Sequence, residues 1–463
     1  LNAATDEQVN GRVSRIAEMK VLRAHYYFEL SRLFNKIPYF DENVEISQYP
    51  DIPNNEFTRD EILSMLAKEM LDAAELLPAS QSEVGRIHKY IALAYAAKIK
   101  LYQAYQQDET THAVTSINKE LLREVVSLCD QVTASNRYGL LDDFQGLDLV
   151  ANENGKESVF AIQYSMNDGT ESAGRINWSN LLNSPGGGSP YGGDGFFLPS
   201  QDLINAYQTD ANGLPDFNYQ SKSDYSWAVL NNGVYTLQNT TPNVDPRLDF
   251  VVGRPTITWK TYPDKPCEGW VRDKETYGYN CAKRFWVSPE SSDMFNGWPW
   301  GASQLNWQII RYADILLWKA EALIELNEGN GLETARDLIN QIRNRARNSA
   351  YVKDFNDHSK YAANYLVNPY PADVWNQDYA RQALRWETRL EKALEGERFF
   401  DLVRWGIVET TMNKYITAES DNRIYYANAH FTGGKDEYYP VPNNQYGFSG
   451  GKYVQNPGYA PFN

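Results

Sequence analysis

Three glutamates fall four residues apart, Glu387, Glu391 and Glu395. Two carboxylates about 5 to 9.5 Å apart across a cleft would make a glycosidase. Arg389, Lys392 and Arg398 interleave with them, so a salt-bridged helix face is the better reading. The five histidines, His25, His88, His112, His358 and His430, form no HExxH or other metal-ligand spacing. No GxSxG offers a nucleophile elbow. The glycine-rich run from Gly186 to Gly195 is neither GxGxxG nor followed by Lys-Ser or Lys-Thr, which argues against phosphate cradling. The acidic loops lack EF-hand spacing. These patterns support no metal, no cofactor and no enzyme.

Aromatic rings are the unusual feature, with 12 Trp, 32 Tyr and 18 Phe. Tyr and Trp in such numbers suggest surfaces that are apolar on a face and polar at a tip. The competing reading is a helical core rich in Tyr. The rings outside helical periods are Trp178, Tyr191, Trp259, Trp270, Tyr277, Tyr279, Trp286, Trp298 and Trp300. Gly297 and Gly301 bracket Trp298-Pro299-Trp300, so that loop can present both indoles outward. Against this, loop indoles also serve as plugs that fasten loops to a scaffold. Trp307, Trp318, Trp386 and Trp405 sit at core-compatible helical spacing and read as packing. Cys129 lies inside a helical pattern and reads as a small buried hydrophobe. Cys267 and Cys281 flank a polar loop and could bridge in an oxidising compartment, while no CxxC supports zinc or thioredoxin chemistry.

The elements that must position these rings are mostly helices. Residues 6–34 read as one helix, capped by Thr5 or Asp6, with Val9, Val13, Ile16, Met19, Leu22, Tyr26 and Leu30 on its apolar face. Further helices are predicted from Thr58 to Pro78, Ile87 to Gln106 and Lys119 to Ala134. From about 140 to 300 the chain turns rich in Gly, Pro, Asn and Asp. Only short elements are expected there: strands at 159–164, 234–237 and 256–259, and a helix at 201–207 capped by Ser200. Helix returns near Trp307 and forms a helix-turn-helix unit of about 34 residues, the size of a tetratricopeptide repeat. Another pair spans 376–395 and 398–415, with Gly396 between. The expected layout is helix pairs over 1–140, an irregular region over 141–300, helix pairs over 301–437 and an extended tail over 438–463, all in one compact domain.

The 463 residues carry a formal charge of −16, which argues against nucleic acid and against an unassisted grip on anionic lipid. No apolar run approaches the roughly 20 residues that cross a bilayer. The opening Leu1-Asn2-Ala3-Ala4 has no basic start or apolar stretch, as expected of a mature or trimmed N-terminus.

Four segments follow one pattern in order. They are Glu18-Met19-Lys20-Val21-Leu22-Arg23-Ala24-His25-Tyr26-Tyr27-Phe28-Glu29-Leu30 with Leu33-Phe34-Asn35-Lys36-Ile37-Pro38; Asn306 to Leu317 running on to Ala346; Glu391-Lys392-Ala393-Leu394-Glu395-Gly396-Glu397-Arg398-Phe399-Phe400-Asp401-Leu402-Val403-Arg404-Trp405-Gly406; and Tyr439-Pro440-Val441-Pro442 with Gln455-Asn456-Pro457-Gly458-Tyr459. Together they resemble the SusD/RagB family of Bacteroidetes outer-membrane lipoproteins. The resemblance implies a mainly α fold: a tetratricopeptide-like helix-pair scaffold, a large irregular ligand-binding half and a few short strands. It implies a surface-exposed protein, lipid-anchored upstream of this chain, that captures oligosaccharide for a SusC-like TonB-dependent transporter in nutrient uptake. Arg311, Asp314, Glu391, Arg398, Asp401 and Arg404 belong to these segments and are expected to pair between helices. Glycan capture needs no catalyst: the C–H patches of sugar rings pack on flat aromatic faces, and their hydroxyls need donors and acceptors at the rim. The nine loop aromatics named above are the candidates for that surface. The alternatives are peptide capture, as in RagB-like members, and a helical-repeat adaptor that binds protein.

Overall fold

The structure, a computed structural model, describes the chain except residues 171–173, 179, 185, 187, 232–233, 238–241, 261–268, 298–299 and 463. Four helices open it: α1 (Arg12–Phe34), α2 (Arg59–Leu76), α3 (Lys89–Ala104) and α4 (Lys119–Ala134). Three short ones interrupt the middle: α5 (Gln201–Ala206), α6 (Arg247–Val251) and α7 (Lys274–Tyr277). The second helical part holds α8 (Tyr312–Leu326), α9 (Gly331–Asn348), α10 (Gln377–Glu391), α11 (Arg398–Arg404) and α12 (Val408–Ser420), and α13 (Asn443–Phe448) lies in the tail. Each packs on its neighbour: α1 on α2, α2 on α3, α3 on α4, α4 on α8, then α8 on α9 and α10. This is a mainly α, tetratricopeptide-like scaffold carrying a loop-rich half with short two-stranded ladders.

Local chemistry explains the boundaries. Thr58 accepts from the Glu61 N–H while the Glu61 carboxylate accepts from the Thr58 N–H at 2.8 Å, a reciprocal cap that starts α2. Pro78 follows its end. Ala92, Ala94, Ala96 and Ala97 of α3 are all fully buried, so α2 and α4 can approach it closely from either side.

Five expectations need correction. α1 starts at Arg12 because Gly11 takes a left-handed turn (φ 67°), and Thr5 closes a separate turn with Gln8. Its buried stripe is Ala17, Val21, Ala24 and Phe28, whereas Val13, Met19 and Tyr26 are exposed. Both stripes have helical spacing; the one with small alanines lets α2 come close. Trp307–Arg311 is a strand, paired antiparallel with Ser158–Ile162, and the helix begins only at Tyr312. β-Branched Ile309 and Ile310 favour that extended form, and Trp307 packs on Phe285 at 4.6 Å between ring centroids. The expected strand at 256–259 shrinks to isolated pairing: Thr256 sits in a turn at φ 69°, and Ile257 makes a single antiparallel bridge with Asp354. The predicted helix from Arg398 to Tyr415 breaks at Gly406, φ 67°.

Ion pairs fasten the irregular half to the helices. Glu387, Glu391 and Glu395 line no solvated face; Glu387 and Glu391 are fully buried, and the side chain of Glu395 nearly so. Their cations come mainly from other elements. Arg247 of α6 reaches Glu387 (2.6 Å) and Glu391 (3.1 Å). Arg343 of α9 reaches Glu387 (3.0 Å). Arg311 reaches Glu391 (3.0 Å), Glu395 (2.7 Å) and Glu157 (2.7 Å). Arg345 bridges Glu157 and Glu391, and Arg284 bridges Asp148 (3.0 Å) and Glu395 (3.4 Å). Arg404 pairs with Glu321 and Asp401, and Asp314 with Lys392. Arg398 departs from the expected pairing: it donates to the Arg385 carbonyl at 3.4 Å, and burial, with Arg389 nearby, pulls its guanidinium down to about 9.

Candidate functional site

Seven of the nine loop aromatics separate into a buried set and an exposed set. Tyr191, Trp259, Trp270 and Trp286 are at most 2% exposed and form one sealed cluster. Trp259 and Trp270 meet edge to face at 4.9 Å, and Tyr191 lies 4.8 Å from Trp286. The Trp259 indole N–H donates to the Tyr191 hydroxyl at 3.0 Å, and that hydroxyl donates to the Val287 carbonyl at 2.7 Å. Both polar tips are thereby satisfied inside. Gly253 makes room for the cluster: a Cβ there would meet the Trp259 ring at 2.5 Å and Cys281 Sγ at 2.8 Å. These four rings were expected on the ligand surface. The structure buries them instead, as a small aromatic core separate from the two larger ones, so that they plug the loops rather than face solvent.

Trp178, Tyr277 and Trp300 are exposed, at 47%, 45% and 57%. Chain ties bring Trp178 and Trp300 onto one loop cluster. Asn177 N–H donates to the Ser303 carbonyl at 2.8 Å, and a Cβ on Gly192 would sit 3.6 Å from Trp300 Cβ. Gly301 is at φ +77°, with Tyr191 so near that a Cβ would meet its carbonyl oxygen at 2.7 Å. Trp300 therefore stands directly beside the plug. Trp298, its expected companion, lies outside the described residues, as does Cys267, the expected partner of buried Cys281.

A groove of about 470 Å³ opens on the same half. Tyr279, half-buried, lines it with Trp227, Asn280, Asp224, Asn422 and Arg423. Trp227 is held by its indole N–H on the Pro255 carbonyl (2.9 Å) and by the Arg254 guanidinium, 4.5 Å from the ring centroid. Asn422 donates to Asp224 at 3.3 Å. Asn280 is buried, and its Oδ1 has no hydrogen-bond partner among the described residues. Tyr277 lies nearby on α7, its ring 6.0 Å from that of Tyr425. Arg272 joins face and groove: it donates to the Gly193 carbonyl (2.6 Å) and pairs with Asp194 (3.0 Å), two residues before the groove-lining Lys274. Sequence reasoning missed Trp227, Asp224 and Asn422. Asp224 and Trp227 share one segment and Asn422 comes from another, 198 residues beyond Asp224; only Trp227 carried a signal, as a loop aromatic.

Among the described residues, no group of three or more His, Cys, Asp or Glu is arranged to hold a metal ion. Nor is any helix among the described residues long and apolar enough to cross a membrane.

The family model described as the SusD family matches residues 156–459, about two-thirds of the sequence. The chain belongs to the SusD family. A SusD-like protein of Bacteroides ovatus is 22% identical over 427 residues, 87% of this chain and 62% of its own length. The chain thus spans less than two-thirds of that relative. A SusD-like carbohydrate binding protein from Bacteroides fragilis has the same fold, with a TM-score of 0.66 at 20% identity over 96% of this chain and 80% of that one. Surface glycan-binding protein A from Bacteroides uniformis superposes with a TM-score of 0.62 at 18% identity, covering 98% of this SusD-family chain and 80% of the other.

Proposed function

We propose that this protein binds an oligosaccharide without catalysis and delivers it to a SusC-like TonB-dependent transporter. It would work at the outer-membrane surface, held there by a lipid anchor. The observation that carries the reading is the pair of exposed indoles, Trp178 and Trp300, on loops packed over a sealed aromatic plug. Backbone ties such as Asn177 N–H to the Ser303 carbonyl anchor these loops, and anchored loops would lower the ordering cost of binding. Flat ring faces suit the C–H patches of sugars, and the groove at Tyr279 and Trp227 adds amides and carboxylates for hydroxyls. Family membership and the named glycan-binding relatives support the same ligand class. A non-catalytic role fits the fate of Glu387, Glu391 and Glu395, each buried and paired with guanidinium groups.

The test is retention on a panel of immobilised polysaccharides and peptides. Wild type should be retained by at least one glycan. Trp178→Ala with Trp300→Ala should abolish retention while leaving thermal unfolding nearly unchanged. Retention by peptides alone would replace sugar with peptide as the ligand, and unaltered glycan affinity in the double variant would remove these rings from the site.

A further inference from the structure

On the side formed by α1, α11, α12 and the tail lies a separate cavity of about 420 Å³, within the usual range of small-molecule sites. Its walls are mostly aromatic: Phe399 and Phe400 from α11, Phe431, and Tyr438, Tyr439 and Tyr459 from the tail. Phe399 lies 5.9 Å from Phe400 and 6.2 Å from Phe431, ring to ring. Tyr438 is fixed by its hydroxyl on Gln107 (2.9 Å), and Tyr459 donates to the Tyr438 carbonyl (2.8 Å). Tyr439, 61% exposed, stands at the mouth.

Two carboxylates line this box, Asp436 and Glu437; Asp436 accepts the Thr432 N–H at 2.8 Å and pairs with Lys435. Glu437 is 6% exposed, and its Oε1 accepts the Gly434 N–H at 3.1 Å. Its Oε2 has no hydrogen-bond partner among the described residues. Nor does any Lys or Arg pair with it among those residues. The adjacent Lys435 is engaged by Asp436 at 3.4 Å, and Arg32, which also lines the cavity, by Glu29 and Glu397. A carboxylate buried without a cation is unfavourable and favours any ligand that brings one. Aromatic faces attract cations too. The rings here already show that preference: the Arg32 guanidinium lies 4.1 Å from the Phe400 centroid, and Lys435 Nζ 5.2 Å from that of Tyr459.

We infer that this cavity binds a small organic ammonium ion, its apolar body against the phenyl and phenol rings and its charged head toward Glu437. The site shares no residue with the indole face or the groove, so it stands independently of the glycan reading. The probe is phenethylammonium, titrated calorimetrically into the full chain, with 2-phenylethanol as the uncharged analogue. The ammonium should bind roughly 5- to 30-fold more tightly than the alcohol. Glu437→Gln, which keeps a carbonyl for the Gly434 N–H, should reduce that difference several-fold and leave glycan retention as in wild type. Tyr439→Ala removes an exposed ring and should weaken the ammonium without lowering the melting temperature; it serves alone if Glu437→Gln fails to fold. Equal binding of the two probes, binding of neither, a preference undiminished in Glu437→Gln, or full affinity in Tyr439→Ala would each overturn the inference.

Discussion

Replacing Glu391 by Gln tests whether buried ion pairs hold the irregular half in place. Glu391 is fully buried and faces three guanidinium groups: Arg247 at 3.1 Å, Arg311 at 3.0 Å, and Arg345. Burial alone would raise its pKa, yet Arg345, Arg311 and Arg247 outweigh it and hold the carboxyl at about 2, against an ordinary 4.5. That difference corresponds to about 3 kcal/mol of stabilisation. Truncating one partner of a buried ion pair costs about 3–5 kcal/mol in general, because the remaining charges stay buried and uncompensated. The two routes agree. At about 2.1 cal/mol/K per residue, the unfolding entropy of 463 residues is about 1 kcal/mol/K, so Tm should fall by about 3–5 °C at pH 7. The pH dependence has a definite sign. A carboxyl whose folded pKa is depressed contributes fully above its unfolded value and loses that contribution as pH falls toward the folded one. The gap in Tm between wild type and Glu391→Gln should therefore persist down to about pH 4.5 and close between there and about pH 2. Scanning calorimetry across pH 2.5–7 measures it. A variant within 1 °C of wild type at pH 7, or a gap that stays constant into acid, would refute the reasoning.

Two further outcomes separate plug from platform and core from surface. Trp259→Ala empties a fully buried site and leaves the Tyr191 hydroxyl without its donor, so it should cost about 3–5 kcal/mol. Trp300→Ala, on an exposed ring, should change stability by less than about 0.5 kcal/mol; calorimetry of the pair shows whether the division holds. Burial pushes the Cys129 thiol up to about 12. Iodoacetamide at pH 8 should leave Cys129 unmodified in the native protein and alkylate it in denaturant, as peptide mapping would show.

The helical scaffold was legible because its signals are local. Thr58 with Glu61 announces the start of α2, the Asn118 side chain caps α4, and apolar periods mark α8 and α9. Errors arose where two local readings compete. Ile309 and Ile310 suit either a helix or a strand, and the partner strand that decides lies about 150 residues earlier. On α1, two stripes have helical period, and which one is buried depends on how closely α2 can approach. The aromatic site was legible only as a set. Trp259 and Trp300 both read as loop indoles, yet one is sealed and the other open. Nothing local to Trp259 reveals that Gly253 leaves a space for its ring. The groove was less visible still, since Asp224, Tyr279 and Asn422 meet only through tertiary folding.

The ion lattice and the aromatic plug solve one physical problem. A loop-rich half has no periodic apolar face to lay on the helices, so contact area alone would leave its register loose. Guanidinium–carboxylate pairs are directional, and each shared carboxylate ties several segments at once. Glu391 joins α6, the strand before α8 and α9; Asp148 joins Lys260 and Arg284. Lys260 lies beside Trp259, and Arg284 lies two residues from Trp286, so these pairs hold the chain next to the plug. Breaking Asp148 with Asp148→Asn should therefore loosen the loops around Trp259 and Trp286 before it unfolds the helices. The Coulombic frame and the buried indoles thus anchor the chain next to the loops that carry Trp178 and Trp300, whose own indoles stay exposed.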